Sequence, residues 1–185
     1  QSSSRTSAFF DTVEFIDNAS DFGGAIDARG AALHLEDATI TDNDADYGGA
    51  IYQRASQISM FDGTISNNTA TYAAAVRLYE SLDISGNTSN VFSCSSITGS
   101  AIISGNATSS SSSSAVHVKG DDAQVRLHQC TLGGNTGGSS NPDLKLEEED
   151  SYTFSSIVQL QAMLTEESYL QAEGCGANAS DTNGN

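Results

Sequence analysis

Apolar residues along this chain come in short runs separated by polar turns. Leu33/Leu35, Ile58/Met60 and Val125/Leu127 alternate with polar neighbours, and Ala8 and Phe10 hold the same place before Phe15. Single β-branched positions follow at Ile26, Ile51, Val76 and Val116, each preceded by alanine. Runs this short, alternating and rich in Ile, Val and Leu, predict β-strands rather than helices. A different period appears over 155–171, where Ile157, Leu160 and Leu164 share a helical face behind a Ser155 N-cap.

The strands belong to a repeat. Phe22-Gly23-Gly24-Ala25-Ile26 returns as Tyr47-Gly48-Gly49-Ala50-Ile51 and again as Tyr72-Ala73-Ala74-Ala75-Val76, 25 residues apart each time. A second marker places an apolar residue three before an asparagine, at Asn18, Asn43, Asn68, Asn87, Asn106 and Asn135; successive spacings are 25, 25, 19, 19 and 29. A unit of this length cannot bury its own apolar side and must stack on the next copy. The pattern predicts an all-β, single-stranded parallel β-helix of about six coils, with three strands per coil. In such a stack every residue sits above its counterpart. Phe22, Tyr47 and Tyr72 then form an aromatic ladder, with Val91 in that place one coil on. The six asparagines form an amide ladder at a turn. The Gly-Gly pairs let the backbone bend without Cβ clashes.

Coil length varies. The 19-residue spacing implies a shortened segment around Tyr79 to Asp83, and the polyserine run Ser109 to Ser114 lengthens the coil after Asn106. Asp143-Leu144-Lys145-Leu146 reads as the last strand. The domain reading is therefore a solenoid over 1–150, a capping helix within 151–173, and a flexible tail over 174–185. A cap is needed because an open end exposes unpaired strand edges. The N-terminal end, with Phe10, Val13 and Phe15 in its first coil, calls for a cover by Gln1 to Ser7, by further sequence, or by another copy of the chain.

The combination of Gly-Gly-Ala-Ile with Phe-x-x-Asn, in full form at Phe15–Asn18, Gly23–Ile26 and Gly48–Ile51, resembles the repeat of the polymorphic outer-membrane proteins. It is also similar to the wider group of right-handed β-helix proteins related in fold to pectate lyases. The likeness spans roughly residues 8 to 146. It implies a right-handed parallel β-helix, with adhesion or surface display as the associated role.

Composition narrows the partners. A net charge of −17, with only seven lysines and arginines, argues against nucleic acid and against an anionic membrane surface. No apolar run approaches the ~18 residues of a membrane-spanning helix, so no membrane insertion is expected. Gln1 leaves open a removed leader or excision from a longer chain. No cofactor motif is present; at most the carboxylates suit weakly held calcium. Cys94, Cys130 and Cys175 allow one disulfide whose pairing the spacing does not select, and they match no zinc motif.

Candidate chemistry is sparse. Asp121-Asp122 is the one adjacent aspartate pair, as a lyase or hydrolase acting on polysaccharide would require, but it falls where an ordinary turn belongs. The Gly-His-Gly and Arg-x-Lys motifs of pectin-degrading enzymes are absent. No catalytic residue is assigned, and a non-enzymatic role is expected. The stripe Asp27, Tyr52, Arg77 and His117 lies one step outward from the β-branched column, flanked by Arg29 and Arg54. These six are the candidate binding residues, for a glycan or a protein surface. Thr39/Thr41 and Thr64/Ser66 mark another face, too irregular in other coils for ordered water. Asn67 and Asn178 are the sequons outside the ladder and the candidate glycosylation sites. The expected protein is a secreted or cell-surface module for adhesion, glycan contact or scaffolding. End-to-end assembly of copies is the alternative, and a polysaccharide-cleaving enzyme the second.

Overall fold

A computed structural model describes residues 6–79, 90–97, 100–119, 123–137, 143–147 and 179–181. The helix expected at 155–171, together with Asn87, Asp121-Asp122, Cys175 and Asn178, lies outside these residues.

The described residues form a parallel β-solenoid. Each coil carries four strands, not three, and they stack into four parallel sheets. Sheet 1 contains Thr6–Asp11, Ala31–Glu36, Gln57–Phe61, Asn90–Ser95 and Ala123–His128. Sheet 2 contains Glu14–Ile16, Thr39–Thr41, Thr64–Ser66, Ala101–Ser104 and Cys130–Leu132. Sheet 3 contains Ala19–Phe22, Asp44–Tyr47, Thr69–Tyr72, Ala107–Thr108 and Thr136–Gly137. Sheet 4 contains Ile26–Arg29, Ile51–Arg54, Val76–Tyr79, Val116–Lys119 and Leu144–Glu147. A sixth strand, Ala179–Asp181, adds to sheet 4 beside Leu144–Glu147, so the segment read as tail contributes to the solenoid.

Inward side chains form continuous columns. Phe15, Ile40, Ile65, Ile103 and Leu132 stack in sheet 2. Ile26, Ile51, Val76, Val116 and Leu144 stack in sheet 4. Leu33, Ile58, Phe92 and Val125 stack in sheet 1, beside Leu35, Met60, Cys94 and Leu127. Val91 therefore belongs to sheet 1, opposite Gln57, and not to the aromatic ladder. Cys94 is fully buried and is joined to Cys130 by a disulfide that ties sheet 1 of one coil to sheet 2 of the next.

Every positive-φ residue among those described sits at a corner between sheets. Thr12, Asp37, Asp62 and Gln129 turn sheet 1 into sheet 2, and Asp17, Asp42, Asn67, Gly105 and Gly134 turn sheet 2 into sheet 3. Gly23, Gly48 and Ala73 turn sheet 3 into sheet 4, and Gly30 and Ala55 close the coil. The left-handed backbone at these corners explains why Asp, Asn and Gly dominate the positions, since they pay least for that conformation. The second glycine of the pair has a separate reason. A Cβ on Gly49 would lie 2.3 Å from the Thr69 carbonyl oxygen and 2.5 Å from that of Ala74. Ala74 occupies the same place one coil on, where the following coil is lengthened by the polyserine run.

The amide ladder runs beside the second corner. Asn18, Asn43, Asn68 and Asn106 each donate from Nδ2 to the Oδ1 of the next rung, at 2.9 Å in every case. The backbone N–H of each rung donates to the same oxygen. Asn68 donates directly to Asn106, 38 residues away, so the ladder covers that interval in a single step. The two 19-residue spacings are one long coil, and five coils are complete among the described residues where the repeat count predicts about six. The last rung, Asn135, donates to the carboxylate of the buried Asp143 at 2.8 Å.

Asn68 is fully buried, and its Nδ2 also donates to the Ile40 and Ser66 carbonyls. Asn68→Asp keeps the shape but turns an acceptor toward three oxygens. It should destabilise the fold by about 2–4 kcal/mol. Asn67→Asp, at the neighbouring exposed turn position, should stay within about 0.5 kcal/mol. Urea unfolding of both variants checks this; equal losses would mean the ladder contributes no special stability.

Candidate functional site

The six candidate binding residues do come together on the outer face of sheet 4, but half of them are covered. Asp27, Tyr52, Arg77 and His117 pair in register, and Arg29 and Arg54 form the start of a second column two residues along. Asp27 and Arg29 are exposed, whereas Tyr52, Arg77 and His117 retain 5%, 7% and 2% of their surface. These three point away from the solenoid interior, as outward alternation requires, but they do not face water.

The cover comes from the neighbouring sheet. Phe22, Tyr47 and Tyr72 stand at the ends of sheet-3 strands and stack at centroid distances of 5.2 and 5.1 Å, nearly parallel. Phe22 also meets Tyr52 edge-on at 5.0 Å. The Arg77 guanidinium lies over Tyr47, Tyr72 and Tyr79 at 5.1, 5.4 and 5.6 Å. Outward side chains of adjacent sheets touch this way only if the corner between them is re-entrant. The left-handed residue at Gly23, Gly48 and Ala73 supplies that bend.

Cations are interleaved with rings across the whole face. Arg29 lies over Phe22 and Tyr52, Arg54 over Tyr79, and Lys119 over Tyr79. Each contact contributes about 0.5–1 kcal/mol where exposed and more where desolvated. Arg29 is further held by a two-point pair with Asp27, at 3.0 Å on both nitrogens. His117 Nδ1 sits 3.1 Å from Ser113 Oγ and 3.5 Å from Arg77 Nη1, which fixes the ring. Burial raises the ionisation of the Tyr52 phenol above its ordinary value of 10.0, against the opposing pull of Arg54, Arg77 and Arg29. Three contributors escaped sequence reasoning: Tyr79, Lys119 and Lys145. Tyr79 continues the 25-residue interval of Arg29 and Arg54, so the same count would have found it.

A second feature lies on the outer face of sheet 1. An open trough of ≈ 700 Å³ is lined along one column by Phe9, His34, Ser59, Ser93 and Arg126. Phe9 stacks on His34 at 5.0 Å, and His34 Nδ1 is 2.8 Å from Ser59 Oγ. Glu36 is 4.0 Å from Nε2, beyond hydrogen-bond range. The pair lies within a parallel sheet whose backbone N–H groups are spent on neighbouring strands. It reads as a cross-strand contact.

The other candidates are simply placed. Asn67 is exposed at its corner, whereas Asn106 is buried in the ladder. On sheet 2, Glu14, Thr39, Thr64, Ile102 and Thr131 share one outward column, an irregular set. Among the described residues no cluster of three or more metal-ligating side chains occurs, and no helix is long and apolar enough to cross a membrane.

Tyr52 gives two checks on this packing. Tyr52→Ala should cost about 3–4 kcal/mol in urea unfolding, as for a buried aromatic, in place of the small change expected of an exposed one. The raised phenol ionisation also favours the neutral form in the folded state. Its stabilising contribution is complete below pH 10.0 and is lost as pH rises through the higher folded value. Tyr52→Phe should flatten that alkaline loss, and an unchanged alkaline profile in the variant would assign the loss elsewhere.

Comparisons with protein-family models, with curated proteins and with solved structures found no match to this chain.

Proposed function

We propose that this chain is a non-enzymatic, secreted or cell-surface β-solenoid module that contacts glycan through the re-entrant face of sheets 3 and 4. The observation that carries the reading is the concentration of cations and rings there, on an otherwise acidic chain. Arg29, Arg54, Arg77, Lys119 and Lys145 are five of its seven lysines and arginines, and all occupy outward positions of sheet 4. Such side chains cost little entropy to order when rings already hold them.

Two further features support the reading. The buried Cys94–Cys130 disulfide suits an oxidising compartment. The likeness of the Gly-Gly-Ala-Ile and Phe-x-x-Asn repeats to those of the polymorphic outer-membrane proteins suits surface display. We extend that likeness to a right-handed winding, and the helical period of 155–171 to a cap. Any calcium would be a loosely held surface ion.

A second reading, end-to-end assembly of copies, is favoured by the first coil. Phe9, Ile16 and Phe22 are 60%, 46% and 36% exposed there, and among the described residues its strands are the outer members of their sheets. A further copy stacked on this edge would cover both.

Binding to an immobilised panel of neutral and acidic glycans, with light scattering in parallel, separates the readings. A glycan module should bind at least one class as a monomer, and Arg29→Ala/Arg54→Ala should weaken that binding roughly tenfold. Concentration-dependent association abolished by Phe9→Lys, with no glycan bound, would select assembly. Release of reducing ends from any glycan would point to an enzyme.

A further inference from the structure

We infer that the outer face of sheet 4 is a linear cation array that binds a sulfated polysaccharide lying along the solenoid axis. This rests on the glycan-module reading and names its ligand class. Four of the five coils contribute a cation that reaches the surface, Arg29, Arg54, Lys119 and Lys145; in the coil between, Arg77 lies buried beneath the rings. The strand spacing of about 4.8 Å repeats that charge along the axis. The four positions span four steps, or about 19 Å. Arg29, Arg54 and Lys119 share one column, and Lys145 lies in the next, about 7 Å across the sheet, the rise of two residues. Asp27 is a carboxylate at an outward position of the first strand of this sheet. The three strands that follow it carry none at theirs.

An array of this kind complements a polymer that carries fixed negative charge at regular intervals and can lie straight. The rest of the chain is acidic, but charges beyond about 8 Å are largely screened at physiological ionic strength. A local strip of cations therefore acts on its ligand more strongly than the distant faces do. The aromatic arrangement selects among polyanions. Phe22, Tyr47 and Tyr72 are stacked on one another, and their faces are taken by neighbouring rings and guanidinium groups. They are not free platforms for nucleobases, which single-stranded nucleic acid needs for much of its affinity. They act as supports that fix the guanidinium planes. A guanidinium is weakly hydrated, and it pairs most favourably with an anion that is itself weakly hydrated and permanently charged. A sulfate ester fits that description better than a carboxylate.

The test uses the whole chain with four probes: dextran sulfate, carboxymethyl dextran, unmodified dextran and polyuridylate. Binding is read at about 0.15 M salt and again at about 0.5 M, where the Debye length has fallen to roughly half. Dextran sulfate should bind most tightly and lose affinity steeply with salt. Arg54→Gln/Lys119→Gln should weaken it roughly tenfold while the thermal midpoint stays within a few degrees. Arg126→Gln, on sheet 1, should leave it unchanged. Carboxymethyl or unmodified dextran bound as tightly, through the same residues, would overturn the sulfate class while leaving the glycan module standing. Polyuridylate bound as tightly would reassign the face to nucleic acid. Dextran sulfate binding untouched by the double variant, or equally lost in Arg126→Gln, would remove the array. Failure of every glycan would remove both readings.

Discussion

The hydrogen-bonded amide column from Asn18 to Asn135 is the constraint on which the other columns depend. A strand in a parallel stack can slip by one residue, and such a slip would move every inward side chain outward. Sheet 3 resists this poorly by itself, because its inward positions hold residues as small as Ala45 and Ala70. The asparagine supplies what apolar contact cannot. Its side chain bridges to the rung of the next coil, to a carbonyl two residues back, and to a carbonyl of the preceding coil, as at Asn43. Only one alignment of two coils satisfies all of these, and a slip would leave buried donors and acceptors unpaired. The column ends on Asp143, whose carboxylate takes the last amide and backbone donors.

With register fixed at one corner, length is free to vary at others. The 38-residue step from Asn68 to Asn106 and the 29-residue step to Asn135 leave the ladder geometry unchanged, at 2.9 Å in both. Extra residues accumulate between Tyr79 and Asn90 and, outside any strand, between Thr108 and Val116. Closing a longer loop costs little, since the penalty grows only logarithmically with length. Strand segments cannot change in this way, because each must stack on a partner of matching register.

These facts explain what was legible in the sequence. Columns of large side chains left a trace: Ile26, Ile51, Val76 and Val116, or Phe22, Tyr47 and Tyr72, show both their spacing and their chemistry. Apart from those rings at its strand ends, sheet 3 left almost none. With Ala45, Ala70 and Thr108 as its buried positions, hydrophobic alternation is too weak to mark it, and the coil reads as three strands. Asn87 sits in a context like that of a rung, and its position halfway between Asn68 and Asn106 splits one long coil into two short ones. The Cys94–Cys130 pairing depends on which coil carries which sheet, and so was hidden with them. Tyr52, Arg77 and His117 were assigned the correct side of the sheet but the wrong exposure. Alternation tells which way a side chain points, while burial here depends on the angle between two sheets.

That angle also turns a repetitive surface into an organised one. On a flat or convex face, Arg54 and Lys119 would be long, solvated chains, each losing up to ~2 kcal/mol of rotamer freedom on binding. Against Tyr79 their positions are already restricted before any ligand arrives. The same holds for Arg29, clamped between Asp27 and the Phe22 ring. Pre-ordering of this kind lowers the entropic cost of association without adding a contact. Periodicity then multiplies the effect, because the stacking that aligns the core columns must align the surface columns as well. A bend of one left-handed residue per coil, at Gly23, Gly48 and Ala73, thus links the architecture of the solenoid to the chemistry of its outer face.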